Sequence, residues 1–226
     1  MAIQLPKLYK ACVYDQPGQI STKVVDLEMP EPGTGEVLVN LTHSGVCHSD
    51  LSVMMNSWPA LPRPTQQNQV GGHEGVGLVV KFGPGEVPSF IKLGDRVGIK
   101  WVNWICGSCF ACLDGHDGFC SSQKISGYYT PGTFQQYVVA PANYLTPIPK
   151  DLPSDLAAPM LCAGVTAYSA LKKSGARSGD WVVMMGAGGG SRHLGHLACQ
   201  IASRSMGMHV IGIDSHEKKD FVLASA

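Results

Sequence analysis

Two textures in succession predict the fold class: a β-rich, barrel-like domain followed by an α/β unit. Up to about Pro149 the chain is a series of short β-type runs broken by Gly and Pro. After that the apolar spacing lengthens to three and four residues, and an apolar strand, a glycine run, a helix and a second strand follow.

Taken in order, the expected strands cover residues 9–14, 20–25, 36–41, 76–82, 96–100 and 133–140. A helix is expected over 157–173, where Leu161, Val165, Tyr168 and Leu171 recur on one face. The boundary falls near Leu152-Pro153-Ser154-Asp155, giving domains 1–155 and 156–226, with a cysteine-rich lobe at about 101–122 inside the first. In the second domain a strand is expected over 181–185, then the glycine run, a helix over about 194–206 and a strand over 209–214.

Composition narrows the function classes. The 226 residues carry 17 Lys and Arg against 17 Asp and Glu, with no long basic run. This is not the footprint of a nucleic-acid or acidic-membrane binder, so small neutral or polar partners are favoured. The segment Met1 to Lys7 lacks the apolar core of a signal peptide, and no run approaches the roughly 18 apolar residues that span a bilayer. The expectation is a soluble, cytoplasmic protein. Eight cysteines in a reducing compartment point to metal binding or burial rather than disulfides.

Cys106, Cys109 and Cys112 follow one another at C-x-x-C spacing, and Cys120 comes after seven more residues. Their loop is rich in Gly, Asp and His and has little apolar periodicity, so burial alone does not hold it together. Four thiolates around a tetrahedral Zn²⁺ would close it and leave no open position for chemistry, which makes this a structural site. Unrelated buried or paired cysteines are the plain alternative. A nucleic-acid zinc module is disfavoured because Lys124 is the only basic residue near the loop.

A second constellation is spread along the chain. Cys47-His48-Ser49-Asp50 places a thiol, an imidazole, a hydroxyl and a carboxylate side by side, and Gly72-His73-Glu74 and Leu161-Cys162-Ala163 are its candidate partners. A catalytic zinc takes three protein ligands and keeps a fourth position for water or substrate, and Cys47, His73 and Cys162 suit it. Each taken singly also reads as an ordinary buried cysteine or core histidine.

The motifs Gly45 to Asp50, Gly71-Gly-His-Glu-Gly75, Gly94-Asp-Arg-Val-Gly98, the four-cysteine loop, Gly132 to Tyr137 and Ala158 to Gly164 together resemble the zinc-dependent alcohol dehydrogenases of the medium-chain dehydrogenase/reductase family, nearest the yeast and filamentous-fungal type. The resemblance implies a GroES-like β-barrel catalytic domain followed by an incomplete Rossmann-type nucleotide-binding domain. It implies two zinc ions: a catalytic one on Cys47, His73 and Cys162, with Glu74 as a nearby or exchangeable ligand, and a structural one on Cys106, Cys109, Cys112 and Cys120. Asp50 would accept the free ring N–H of His73; alternatively it is a helix N-terminal acid. Ser49 would pass the alcohol proton, or else cap the following helical turn. His48 would contact pyrophosphate, or be a solvent-exposed imidazole. Trp58 and Trp101 would line a small-alcohol pocket, or simply pack in the core. The partners implied are a small alcohol or aldehyde and, for a full-length protein, further copies of itself.

Gly186-Ala-Gly188-Gly189-Gly190 lies between a strand and a helix, the context in which backbone N–H groups approach a pyrophosphate. Asp214 ends the next strand, where an acid binds ribose hydroxyls and repels a 2′-phosphate, favouring NAD over NADP; it also suits a strand-end turn. The chain departs from the family pattern in three places. Ser191-Arg192-His193 reads as an insertion in the phosphate turn, Thr65 to Gln69 lengthens the loop before His73, and Ser52 stands where many relatives carry the histidine that ends the proton relay. The chain also stops as another helix starts, with two of about six sheet strands in view. The expectation is therefore a truncated member, a fragment or an incomplete gene model that binds zinc and holds NAD poorly or not at all, with a non-catalytic zinc-binding remnant as the alternative function. A zinc-free quinone reductase of the same superfamily would not need this ligand set.

Overall fold

A computed structural model describes residues 5–59, 61–86, 88, 90–188 and 194–225. Contacts divide the chain into two units, Met1–Leu161 and Cys162–Ala226.

In the first unit the strands are β1 (Leu8–Tyr14), β2 (Lys23–Glu28), β3 (Glu36–Ser44), β4 (Gln69–Val70), β5 (Gly75–Phe82), β6 (Arg96–Ile99), β7 (Val102–Trp104), β8 (Lys124–Ile125), β9 (Tyr137–Pro141) and β10 (Thr146–Pro147). Its helices are α1 (His48–Met54), α2 (Phe110–Leu113) and α3 (Ser154–Pro159). A five-stranded antiparallel sheet runs β10-β6-β5-β3-β9, a three-stranded sheet runs β2-β1-β4, and β7 pairs with β8.

The larger sheet is held by the alternating valines of its inner face. Val37, Val39, Val79, Val97 and Val138 are fully or almost fully buried in one cluster with Ile91 and Ile99. β-branched side chains suit a pleated surface, and burying each valine contributes about 1.5–3 kcal/mol. The β3–β5 ladder shifts register between Leu38 and Val39 and again between Leu41 and His43. Such irregularities bend a strand and redirect its end. The ladder closes on the pair Ser44↔Gly75, and that closure places the loop after β3 beside the residues just before β5.

The expected and observed elements differ at instructive places. The strand expected over 20–25 lies at Lys23–Glu28, because Ile20 is three-quarters exposed and β1 pairs Cys12 with Val24. The strand expected over 133–140 begins at Tyr137; Thr133 and Phe134 instead donate backbone bonds to the carbonyls of Gly72 and Gly71. The helix expected over 157–173 is broken into α3, a wide i→i+5 turn at Met160–Gly164, and α4 (Val165–Lys173). Pro159, lacking an N–H and crowding the turn before it, sits at that break.

The second unit contains α4, β11 (Trp181–Met185), α5 (Leu194–Gln200), a wide turn at Ile201–Ser205, β12 (His209–Ile213) and α6 (Lys219–Ser225). β11 and β12 are parallel, from Trp181↔His209 to Met185↔Ile213. Val182 and Met184 pack on Leu171, Ala202 and Met208, while the alternate residues Trp181, Val183 and Met185 are exposed. Among the described residues, no helix is long and apolar enough to cross a membrane.

Candidate functional site

Because β3 and β5 end at Ser44↔Gly75, Gly45 lies against Glu74: the Gly45 N–H donates to the Glu74 carbonyl at 2.9 Å. A Cβ on residue 45 would fall 1.9 Å from Glu74 Oε2, so a larger residue there would displace the Glu74 carboxylate. Two residues on, Cys47 precedes α1, and the ladder has brought it to His73. Cys47 Sγ, a His73 ring nitrogen and a Glu74 carboxylate oxygen all lie within 4.8 Å of one another.

The first turn of α1 then supplies the partner of His73. Asp50 accepts the Cys47 backbone N–H on Oδ2 at 2.8 Å and the His73 Nδ1–H on Oδ1 at 2.8 Å. The helix-acid and histidine-partner readings of Asp50 are thus both true of one carboxylate. His73 is fully buried and Asp50 nearly so. Burial pulls the His73 pKa down, but hydrogen bonds with Asp50 and Cys47 and the charges of both outweigh it, leaving the ring raised to about 9. This donor set suits zinc: a soft thiolate, a borderline imidazole fixed by a carboxylate, and a buried acid.

Cys162 sits half-buried in the wide turn at Met160–Gly164. Its neighbour Leu161 is buried with Val76, Ala157 and Ala158, the first of these one residue beyond Gly75. Turns of this width recur where a helix presents a functional side chain.

Around His73 the aromatic residues are ordered. Trp101 meets its ring edge-on at 4.8 Å, and Trp58 stacks on Trp101 at 5.3 Å. His48, the first residue of α1, is exposed, with Nδ1 3.5 Å from Ser52 Oγ one turn on. Ser49 is half-buried within the helix, and the residue in the cap position is Cys47 rather than Ser49. The segment Thr65 to Gln69 is pinned down: Thr65 is buried, donates to Val53 O at 2.6 Å and takes the Asn56 side chain on its N–H at 2.7 Å. Sequence reading missed Asn56, which has a positive φ of 53°, a conformation that asparagine tolerates better than most residues.

The four lobe cysteines form the second cluster, with ligand atoms within 4.8 Å of one another. Measured sulfur separations are 3.5 Å (Cys109–Cys112), 3.6 Å (Cys106–Cys120) and 3.9 Å (Cys106–Cys112). A tetrahedron with Zn–S bonds of about 2.3 Å has edges of about 3.8 Å, so the thiols are spaced for the ion. Backbone N–H groups of Ser108 and Cys109 pull Cys106 down to about 6, whereas burial and the neighbouring sulfurs push Cys112 up to about 12. The lobe is tied to the barrel by Tyr144, whose hydroxyl donates to Asp117 Oδ2 at 2.5 Å; Lys100 in turn donates to the Tyr144 carbonyl at 2.7 Å.

In the second unit, β11 ends at a glycine turn packed hard against α5: a Cβ on Gly195 would lie 1.9 Å from the Gly186 carbonyl oxygen. Asp214, directly after β12, crosses to this turn and accepts the Gly188 N–H on Oδ2 at 2.7 Å. Backbone N–H groups of Ser215 and Gly188 hold its carboxyl below the usual range. A close strand–helix approach with an acid at the next strand end suits a dinucleotide. Gly189, Gly190 and Ser191 to His193 lie outside the described residues.

The model of the alcohol dehydrogenase GroES-like domain matches residues 33–150. Alcohol dehydrogenase 2 of Emericella nidulans is 62% identical over 224 residues, covering 99% of this chain and 60% of that protein. An alcohol dehydrogenase of Schizosaccharomyces pombe is 43% identical over 213 residues, covering 94% and 58%. Among solved structures, an acetophenone reductase from Geotrichum candidum in complex with NAD superposes with a TM-score of 0.83 at 32% identity, covering 99% of this chain and 63% of that one. A cobalt- and zinc-bound thermostable alcohol dehydrogenase from Pyrobaculum aerophilum gives 0.83 at 27%, covering 97% and 64%. The chain spans about 60% of the length of the curated relatives it matches.

Proposed function

The chain belongs to the alcohol dehydrogenase family that carries a GroES-like domain, and from that premise we propose that it is a zinc-dependent, NAD-linked alcohol dehydrogenase interconverting a small alcohol and its aldehyde or ketone. The observation that carries the reading is the buried His73–Asp50 pair with Cys47 and Glu74 gathered around it.

Cys47, His73 and Cys162 would hold the catalytic zinc, with Glu74 as an exchangeable ligand, and Cys106, Cys109, Cys112 and Cys120 the structural one. A zinc held by these residues would supply Lewis-acid polarisation of an alcohol oxygen, and a bound NAD would supply the hydride acceptor. The protein's own part is orientation and proton handling. Asp50, by accepting the hydrogen bond from Nδ1–H and keeping the proton on that nitrogen, would leave the Nε2 lone pair of His73 for the metal. Ser49 carries the alcohol proton outward. Ser52 is turned toward His48, and release from Ser49 then runs to solvent. Trp58 and Trp101 wall the substrate side.

The second domain, 156–226, is read as the first part of a Rossmann-type sheet after a catalytic domain at 1–155. Gly186 to Gly190 would receive the pyrophosphate, with His48 contributing, and Asp214 the adenosine ribose; the acid favours NAD over NADP. A cytoplasmic location and, for the full-length protein, a homo-oligomer complete the reading. Metal content measured together with NAD-dependent oxidation of an alcohol panel tests it. Two zinc ions per chain with turnover support the enzyme; zinc without turnover from the complete polypeptide refutes it.

A further inference from the structure

A cavity of about 740 Å³ lies in the first unit, where β7, β8 and the edge strand β9 supply part of its wall, and no residue assigned above to zinc, substrate or cofactor lines it. Small-molecule sites run from about 300 to 1,000 Å³. Two amides in the wall, Asn103 and Gln135, are each only 8% exposed. Gln135 is fully engaged: it accepts the Tyr9 hydroxyl at 2.8 Å and donates to the Gly132 carbonyl at 2.7 Å. Asn103 is half engaged. Its Nδ2 donates at 2.8 Å to Thr130 Oγ1, whose own proton goes to the Ile125 carbonyl at 3.3 Å, so the amide must turn its nitrogen to Thr130. Its Oδ1 then accepts from no described residue. Two rings share the wall. Tyr137 meets Tyr9 edge-on at 5.8 Å, and Trp104 carries the Lys124 ammonium over its ring at 5.4 Å. Among the described residues, neither the Tyr137 hydroxyl nor the Trp104 indole N–H has a hydrogen-bond partner.

We propose that this cavity is a binding site for a small neutral sugar, a mono- or disaccharide, separate from the zinc and cofactor sites. The ligand class follows from what the wall leaves open. A wholly apolar ligand would bury the Asn103 oxygen, the indole N–H and the phenol without partners, which costs stability. An anionic ligand would meet Glu36 and Glu86 in the lining as well as Lys124, so like charge opposes it. A sugar ring suits both conditions. Its C–H faces lie on the rings of Trp104 and Tyr137, as apolar surface does on aromatic side chains. Each of its hydroxyls both donates and accepts, so one kind of group serves the amide oxygen, the indole N–H and the phenol alike.

Fluorine NMR of the complete polypeptide labelled with 5-fluorotryptophan, titrated with maltose, tests this without reference to turnover. The chain has four tryptophans, and Trp104→Phe assigns the signal of Trp104. Maltose at millimolar concentrations should move that signal saturably and leave the others in place. Sorbitol, which has the hydroxyls but no ring face, should not move it. Saturation-transfer titration from the maltose side then reads the variants. Tyr137→Phe and Trp104→Phe should each weaken maltose about three- to tenfold, the fold-change of one lost hydrogen bond. If Trp104→Phe disturbs the remaining tryptophan signals and so the fold, Tyr137→Phe alone decides. A Trp104 signal that stays still, an equal shift with sorbitol, or maltose binding that Tyr137→Phe leaves unchanged would overturn the proposal.

Discussion

His73 and Asp50 are joined by a 2.8 Å hydrogen bond from ring Nδ1–H to carboxylate Oδ1, buried between the end of β3 and the start of β5. The same carboxylate fixes the backbone of Cys47, so one side chain positions two of the proposed metal ligands. Asp50→Ala should weaken zinc at this site by about 10–100-fold and leave the four-cysteine zinc in place. Chelator competition monitored by metal analysis reads both. Loss of both zincs together would mean that the substitution unfolds the chain instead.

The proton on His73 gives the metal-free chain a pH signature. The ring is held at about 9, above its ordinary 6.5, because Asp50 and Cys47 outweigh its burial. A histidine that binds its proton more tightly folded than unfolded stabilises the fold fully below 6.5, and that contribution is lost as pH climbs through about 9. It amounts to at most about 3 kcal/mol. Zinc needs the neutral ring, so its affinity should rise over the same window. Thermal melts of chelator-treated and zinc-loaded protein between these pH values should slope in opposite directions.

The two side-chain clusters were legible in the sequence because metal chemistry restricts residue type so sharply: a thiol in Cys47, an imidazole in His73 and four spaced cysteines have few other uses in one chain. The longer strands were legible for a similar reason, since the valines of β3, β5 and β9 face one core. What could not be read were contacts made by short or distant partners. β4, β7, β8 and β10 are two or three residues each, too short for any periodicity, and exist because a neighbouring strand pairs with them. The second task of Asp50 and the reach of Asn56 to Thr65 depend on backbone geometry that residue identity does not carry. Lys218 was invisible as a partner of Asp214 until the turn after β12 brought it back over Gly188.

Tyr144 tests how firmly the four-cysteine lobe is moored. Its phenol stays protonated because burial, and then Asp117, raise its pKa, so it remains the donor to Asp117 Oδ2. Tyr144→Phe removes only that bond; the ring beneath Lys100, 3.9 Å from Nζ, is kept. The expected cost is about 1.5–3 kcal/mol, the range for a hydrogen bond to a charged group, and release of the lobe zinc should be faster. Thiol-reagent kinetics on the lobe cysteines, compared with chelator removal of the zinc near His73, should show the first accelerated and the second unchanged.

The stacked tryptophans separate a substrate wall from simple packing. Trp101 touches His73 edge-on at 4.8 Å and carries Trp58 on its other side at 5.3 Å, while Trp58 remains 36% exposed. If Trp58 bounds the space in front of the metal, Trp58→Ala lengthens that space by a ring and leaves Trp101 to shield His73. The ratio of kcat/KM for a bulky secondary alcohol over ethanol should then rise by about tenfold or more, since a pocket distinguishes substrates by roughly 1–3 kcal/mol for each methylene it admits or refuses. Zinc content should stay the same, because no ligand or ligand partner is altered. If thermal stability falls but the ratio stays where it was, Trp58 is a packing residue, and the selectivity of the site must come from elsewhere on the barrel.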